Sequence, residues 1–286
     1  MSAGGPEPSA ALVDRPVRRW IPGERWGSMR FIVIHWRLLV RVLYGEMRAR
    51  FAGSHIGAGW VFLAPLLLLS VYALIYVEIF KVDVPTLTTA GYVLFIFSGL
   101  VPFLTLAESL SASLGSVLSN TAVFSNTVYP IDLTPVTAVL VCQGTMVVGV
   151  TVILAGGVIF GLLTPFILLT PVVWFLQILA LVGIAWILSL VNVLVRDVQN
   201  IVSIVLLLLL ISSPIAFTPD QVPESIKIML YVNPVAWFIT AYQDVMVLGF
   251  SPAPEHWAGL VVFSVGLFCL GSWVFARLKP VAADYV

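Results

Sequence analysis

The hydrophobic positions of this chain fall into long unbroken runs separated by short polar breaks, not into the alternation of half-buried strands. A helix needs about 20 apolar residues to cross a ~30 Å hydrocarbon core. Six runs approach or exceed that length: residues 59–80, 91–107, 135–163, 165–195, 201–217 and 257–276. The third and fourth are longer than the core is thick, which predicts tilt or interfacial first turns, and Pro171 predicts a kink in the fourth. The pattern therefore predicts an all-α integral membrane protein with six transmembrane helices.

Two stretches break the pattern. From Arg30 through the stretch 31–56, Arg30, Arg37, Arg41 and Arg48 fall within about 40° of one another on a helical wheel. Leu39, Leu43 and Met47 lie elsewhere around it, and Glu46 and Arg50 sit opposite the stripe. This predicts an amphipathic helix lying in the headgroup plane, its arginines toward anionic lipid or a cytoplasmic partner. The alternative is a basic flank that only fixes topology, with Gly45 as a break point. Residues 228–250 are apolar but interrupted by Asn233, Pro234, Gln243 and Asp244, too often for a comfortable span. A pair of short re-entrant helices fits better, capping a cavity, because irregular backbone at membrane depth must be covered by protein or water. Pro214, Pro219 and Pro223 mark the turn into this segment.

Composition agrees with the pattern: 60% of residues are hydrophobic and 10% charged, against about 25% charged in a soluble domain. The 14 basic and 14 acidic residues balance, and no basic stretch interleaved with aromatics suggests a nucleic-acid partner. Their placement is one-sided. Nine arginines precede the first span, Arg196 follows the fourth, and Arg277 and Lys279 follow the sixth, leaving Lys81 and Lys227 alone on the other side. Lys and Arg are retained in the cytoplasm, so both termini are expected there, with residues 1–30 a flexible cytoplasmic tail lacking a signal-peptide pattern.

Soluble chemistry has no motif here. None of Lys81, Lys227 and Lys279 follows a glycine in a phosphate-binding loop, so ATP hydrolysis is not expected of this chain. His35, His55 and His256 lack metal-ligand spacing, and no metal site is expected. Cys142 and Cys269 sit in apolar runs as packing residues. Glu78, Glu108 and Asp244 are the carboxylates nearest apolar segments, where charge is usually functional unless it reaches the interface. Arg196 and Asp197 form either a structural ion pair at a span end or part of a transmission surface.

Several short motifs then occur in a specific order. Glu46, Arg50, Phe51, Gly53, Ser54, Gly57, Trp60 and Pro65 come first. Ser98-Gly99-Leu100-Val101-Pro102-Phe103, Asn120 and Tyr129-Pro130 follow. Arg196-Asp197, Ser213-Pro214-Ile215, Pro223-Glu224 and Asn233-Pro234 complete the series. In this order the chain, over nearly all its length after Arg37, resembles the permease subunits of ABC-2 type exporters. The polysaccharide exporters of bacteria, which move O-antigen, teichoic acid or capsule, are the nearest in pattern. The chain departs from the family's pattern twice: residues 121–129 carry no lysine, and Tyr242 is followed by Gln243 where the family often has arginine.

The resemblance implies a non-enzymatic transport subunit of the bacterial inner membrane, with residues 31–286 as one ABC-2 transmembrane domain. Two copies would form the pore. A separate ATP-binding cassette subunit would carry ATP and Mg, with no cofactor on this chain, and grip the loop holding Asn120, Phe124, Asn126 and Tyr129. Arg41, Arg48 and Arg50 would meet a lipid-linked pyrophosphate at a cytoplasmic gate. Trp60, Phe62, Tyr72 and Tyr76 are pore-lining candidates for a glycan, with lipid-facing packing as the alternative for each. Export of a drug or small lipid is the nearest rival function, and a membrane-embedded transferase a more distant one.

Overall fold

A computed structural model describes residues 35–50, 53–79, 87–119 and 131–283, together with Ile32. Among them the chain is helical, with nine α-helices joined by short turns. Helix α1 is Trp36–Arg50 and α2 is Trp60–Ala73, prolonged by a π-helical turn over Leu74–Ile79. Then come α3 (Thr89–Ser119), α4 (Leu133–Ile159), α5 (Thr170–Leu194, entered through a 3₁₀ turn at Pro165–Leu169) and α6 (Val198–Ser212). The last three are α7 (Ile228–Val232), α8 (Pro234–Gln243, followed by a π-turn at Asp244–Leu248) and α9 (Pro254–Ala283).

Helix α3 is the hub. Phe95, Ile96, Phe97, Leu100 and Val101 are fully buried among α4, α5 and α8. It also outruns its expected end at residue 107 by twelve residues, to Ser119. The hydropathy falls there because of serines, yet each buried serine closes its own bond inside the helix. Ser109 Oγ donates to the Thr105 carbonyl (2.6 Å), Ser113 Oγ to Leu110 (2.8 Å) and Ser116 Oγ to Ser113 (2.7 Å). Leu110, Leu114 and Val117 meanwhile keep the apolar face in register.

Among the described residues five helices are long and apolar enough to cross a membrane, and the run expected to be the fifth span, 201–217, forms a shorter apolar helix of 15 residues. At 1.5 Å per residue it covers about 22 Å. Proline is the cause: Pro214 disfavours helix at Ser213, which sits at φ −91°, ψ 144°. The chain then folds into α7 and α8, two short helices where the interrupted pattern called for them. Their junction uses the sequence motifs directly. Asn233 Oδ1 accepts from the Val235 N–H (2.9 Å) to cap α8, while its Nδ2 donates to Ser212 Oγ (3.2 Å) and Ser213 Oγ (3.0 Å). Gln243 Nε2 donates to the carbonyls of Pro214 (2.8 Å) and Ile215 (3.2 Å). A neutral amide, where the family often has a cation, thus ties α8 to the Ser213-Pro214-Ile215 turn.

Amides also cross-link the long helices. Gln177 Nε2 donates to the Pro102 carbonyl (3.0 Å), and Gln177 Oε1 accepts from the Tyr242 hydroxyl (2.7 Å), joining α5, α3 and α8. Gln143 Oε1 accepts from Trp174 Nε1 (2.8 Å), and Asn192 Nδ2 donates to the Leu114 carbonyl (2.8 Å). In a lipid-like interior such bonds replace the hydrophobic drive that soluble helices use to associate.

Candidate functional site

Among the described residues, two clefts stand at opposite ends of the helix bundle. One, about 800 Å³, is walled by α1, α3 and α4 and lined by Glu46, Arg50, Glu108, Ser116, Thr137 and Cys142, among others. The second, about 870 Å³, lies among α7, α8 and the start of α9. The length of α9 separates them: Glu255 at its start lines the second cleft, and Lys279 near its end reaches Asp132, which adjoins the first. Those 24 residues of helix rise about 36 Å, more than a hydrocarbon core.

The first cleft is latched. Arg50 Nη2 pairs with Glu108 Oε2 at 3.1 Å, Thr145 Oγ1 donates to the same oxygen at 3.1 Å, and Arg50 Nη1 lies 3.8 Å from Cys142 Sγ. One contact set thereby joins α1 to α3 and α4. Just beyond it, Gly53 (φ 81°) and Gly57 (φ 58°) take left-handed conformations that turn the chain from α1 into α2. A Cβ at either would meet nothing within 4 Å, so the hinge is open space, while Leu39 and Leu38 join α1 to the core and the latch joins its end. The pair is about one-third exposed on each side, 38% and 36%. Glu108→Gln is therefore expected to lower stability by less than about 1 kcal/mol in thermal unfolding, because a half-solvated pair gains little.

The three gate arginines are not brought together. Arg50, with Glu46, is on the cleft face of α1, whereas Arg41 and Arg48 are exposed on the stripe opposite. Arg48 stacks over Tyr44, its Cζ 5.5 Å from the ring centroid. The aromatic candidates also divide. Trp60 and Phe62 are exposed, whereas Tyr72 and Tyr76 stack on each other with centroids 5.9 Å apart and pack against the core. Asn120, Phe124, Asn126 and Tyr129 lie outside the described residues.

Arg196 and Asp197 form no ion pair; both are exposed in the turn between α5 and α6. Residues adjacent in sequence point apart in such a turn. The backbone of Asp197 does the structural work there, its carbonyl accepting from the N–H groups of Asn200 (3.0 Å) and Ile201 (3.2 Å). A buried ion pair at this end of the bundle, beside the exposed latch, is Lys279–Asp132, which no sequence pattern singles out. Lys279 Nζ donates to both carboxylate oxygens at 3.1 Å, with the side chains 10% and 4% exposed. Trp186 Nε1 holds the Asp132 backbone carbonyl at 2.9 Å. The only local signal is a lone acid beside Pro130 and a lone lysine after an apolar run.

The second cleft holds acids and aromatics: Asp220, Asp244 and Glu255 with Tyr231, Trp237 and Phe250. Lys227 donates to Glu224 at 2.8 Å, and that hydrogen bond raises its ammonium above the ordinary lysine range.

Comparison with known proteins places the chain. A family model described as ABC-2 type transporter matches residues 37–247. The O-antigen export system permease protein RfbA of Myxococcus xanthus is 27% identical over 252 residues, covering 87% of this chain and 95% of the relative. The Klebsiella pneumoniae permease of the same name is 27% identical over 244 residues, 85% of this chain and 92% of the relative. The matched segment runs from the arginine-bearing helix through the π-turn after α8, and so includes the latch, the hinge and the Asn233 junction. A multi-pass protein of the bacterial inner membrane, this chain belongs to the ABC-2 type transporter family.

Proposed function

We propose that two copies of this chain form the membrane pore of an exporter for lipid-linked polysaccharide of the O-antigen type, driven by a separate ATP-binding cassette subunit that carries ATP and Mg. The observation that carries the reading is the latched cleft beneath α1. Its walls, α3 and α4, are the two helices joined by the segment 120–130, where the partner ATPase would grip Asn120, Phe124, Asn126 and Tyr129. A push on that loop would move both walls against α1. The names of the relatives, matched over more than nine-tenths of their length, support the substrate class.

In this mechanism the cleft is cytoplasmic, Arg41 and Arg48 rest on the headgroups, and Arg50 exchanges Glu108 for the pyrophosphate of the lipid carrier. A phosphate is a better bidentate partner for a guanidinium than one shared carboxylate oxygen, so the substrate itself would open the latch. The glycan then enters between the two copies. Helix α2 suits that surface: only 6% of its apolar window is buried within one copy, and Trp60 and Phe62 project from it. Tyr72 and Tyr76 would back the same wall.

The gate is tested by Arg48→Ala combined with Arg50→Ala. The variant is expected to reach the membrane at wild-type levels and to display about one-tenth or less of the normal surface glycan, measured by antibody on intact cells. Normal display would sink the gate.

A further inference from the structure

The cleft at the opposite end of α9 is a built cavity that export through the α1 gate does not use. Trp237, Thr240 and Asp244 are spaced three and four residues apart, which puts them on one face of α8, and all three line it. The face ends in the π-turn Asp244–Leu248, where the N–H groups of both Gly249 (2.8 Å) and Phe250 (3.2 Å) converge on the Asp244 carbonyl. Such turns often mark functional positions. The indole of Trp237 is held from behind. Phe263 packs on it at an edge angle of 63°, Gly259 leaves the ring room, since a Cβ there would come within 3.3 Å, and His256 Nε2 bonds the Trp237 backbone carbonyl (2.9 Å).

Its chemistry favours one class of ligand. The lysine of the lining, Lys227, is engaged by Glu224, and the imidazole of His256 bonds the Trp237 backbone carbonyl. The carboxylate of Asp244, by contrast, makes no hydrogen bond or ion pair among the described residues. With Asp220 and Glu255 also in the lining, three acids face one lysine that is already paired, which disfavours an anionic headgroup, and an acyl chain would leave the half-buried Asp244 carboxyl without a partner. Hydroxyl-rich neutral sugar fits: its hydroxyls donate to carboxylates and its apolar C–H face lies on Trp237, Tyr231 or Phe250.

We propose that this cleft is an outer-face subsite for sugar units of the exported polysaccharide, engaged as the chain emerges. The inference rests on the export function proposed for the α1 gate. It is tested on the full chain with its ATPase partner in nanodiscs, using as probe the strain's own polysaccharide freed from its lipid carrier by mild acid. The wild type is expected to bind it. Asp244→Asn, which keeps the shape of the side chain, and Trp237→Ala are each expected to bind about tenfold more weakly or worse, while Trp237→Phe keeps an aromatic face and stays within about threefold. Undetectable binding by the wild type, wild-type binding by Asp244→Asn, or displacement of the probe by a short-chain phosphatidylcholine or a simple alkylamine would each overturn the subsite. A deletion strain separates the two readings. Normal surface glycan without this gene defeats the export function, whereas glycan lost on deletion alongside unaltered binding by Asp244→Asn defeats the subsite alone.

Discussion

Asp132→Ala is expected to cost the folded protein about 3–5 kcal/mol, the usual penalty when one partner of a buried ion pair is removed and the other charge stays buried. Lys279 would lose the carboxylate that binds its Nζ, with only 10% of its side chain exposed. The pair sets the register of α9 against the first turn of α4, at the exit of the segment that would meet the ATPase, so the loss should appear both as a lower Tm in detergent and as poor assembly with the partner. A double change tests the cause. Asp132→Asn with Lys279→Met removes both charges and should recover most of the lost stability, because burying two apolar or neutral groups costs less than burying one unpaired ion. If the double variant unfolds as easily as Asp132→Ala, the two residues contribute through packing and not through their charges.

Gly183→Val and Gly271→Val should each prevent stable folding, at about 3 kcal/mol or more of overpacking. The two glycines face each other where α5 crosses α9. A Cβ on Gly183 would meet the backbone of Leu267 and Phe268, and one on Gly271 would meet the backbone of Gly183. Backbone cannot rotate aside as a side chain can, so the helices would have to separate, losing the contacts of Trp186 with Phe268 (5.3 Å between centroids) and Phe275 (6.4 Å). Small residues permit this close approach. Gly266 is the internal control. It lies on the same helix, a Cβ there would meet nothing within 4 Å, and Gly266→Ala should express and unfold like the wild type. Comparable yields of detergent-stable protein from Gly266→Ala and Gly271→Val would contradict this crossing.

The long apolar runs are legible because a membrane helix announces itself in composition alone, and the ends that hydropathy misplaces show what composition omits. Hydropathy stops α3 near residue 107, but helical back-bonding by Ser109, Ser113 and Ser116 lets polar residues continue a buried helix. The run 201–217 reads as a span because its residues are apolar, yet a single proline decides its length. The arginine helix is legible by periodicity, and Glu46 and Arg50 fall opposite the stripe on the helical wheel, which is why they face the cleft. Their partner is not legible. Glu108 lies 58 residues from Arg50, and no local pattern links an acid in one helix to a base in another. The same holds for Lys279 and Asp132, 147 residues apart. What sequence offers for these long-range pairs is only that a lone charge or amide in an apolar run needs a partner. The adjacent Arg196-Asp197 looks like a pair and is not one, because neighbours along the chain diverge in space.

The export function itself is tested most directly by deleting this gene and following the polysaccharide on both sides of the membrane. Surface glycan on intact cells should fall to background while the lipid-linked polymer accumulates inside, and a plasmid copy of the wild-type chain should reverse both. Unchanged surface glycan with no internal accumulation would show that this permease carries something else.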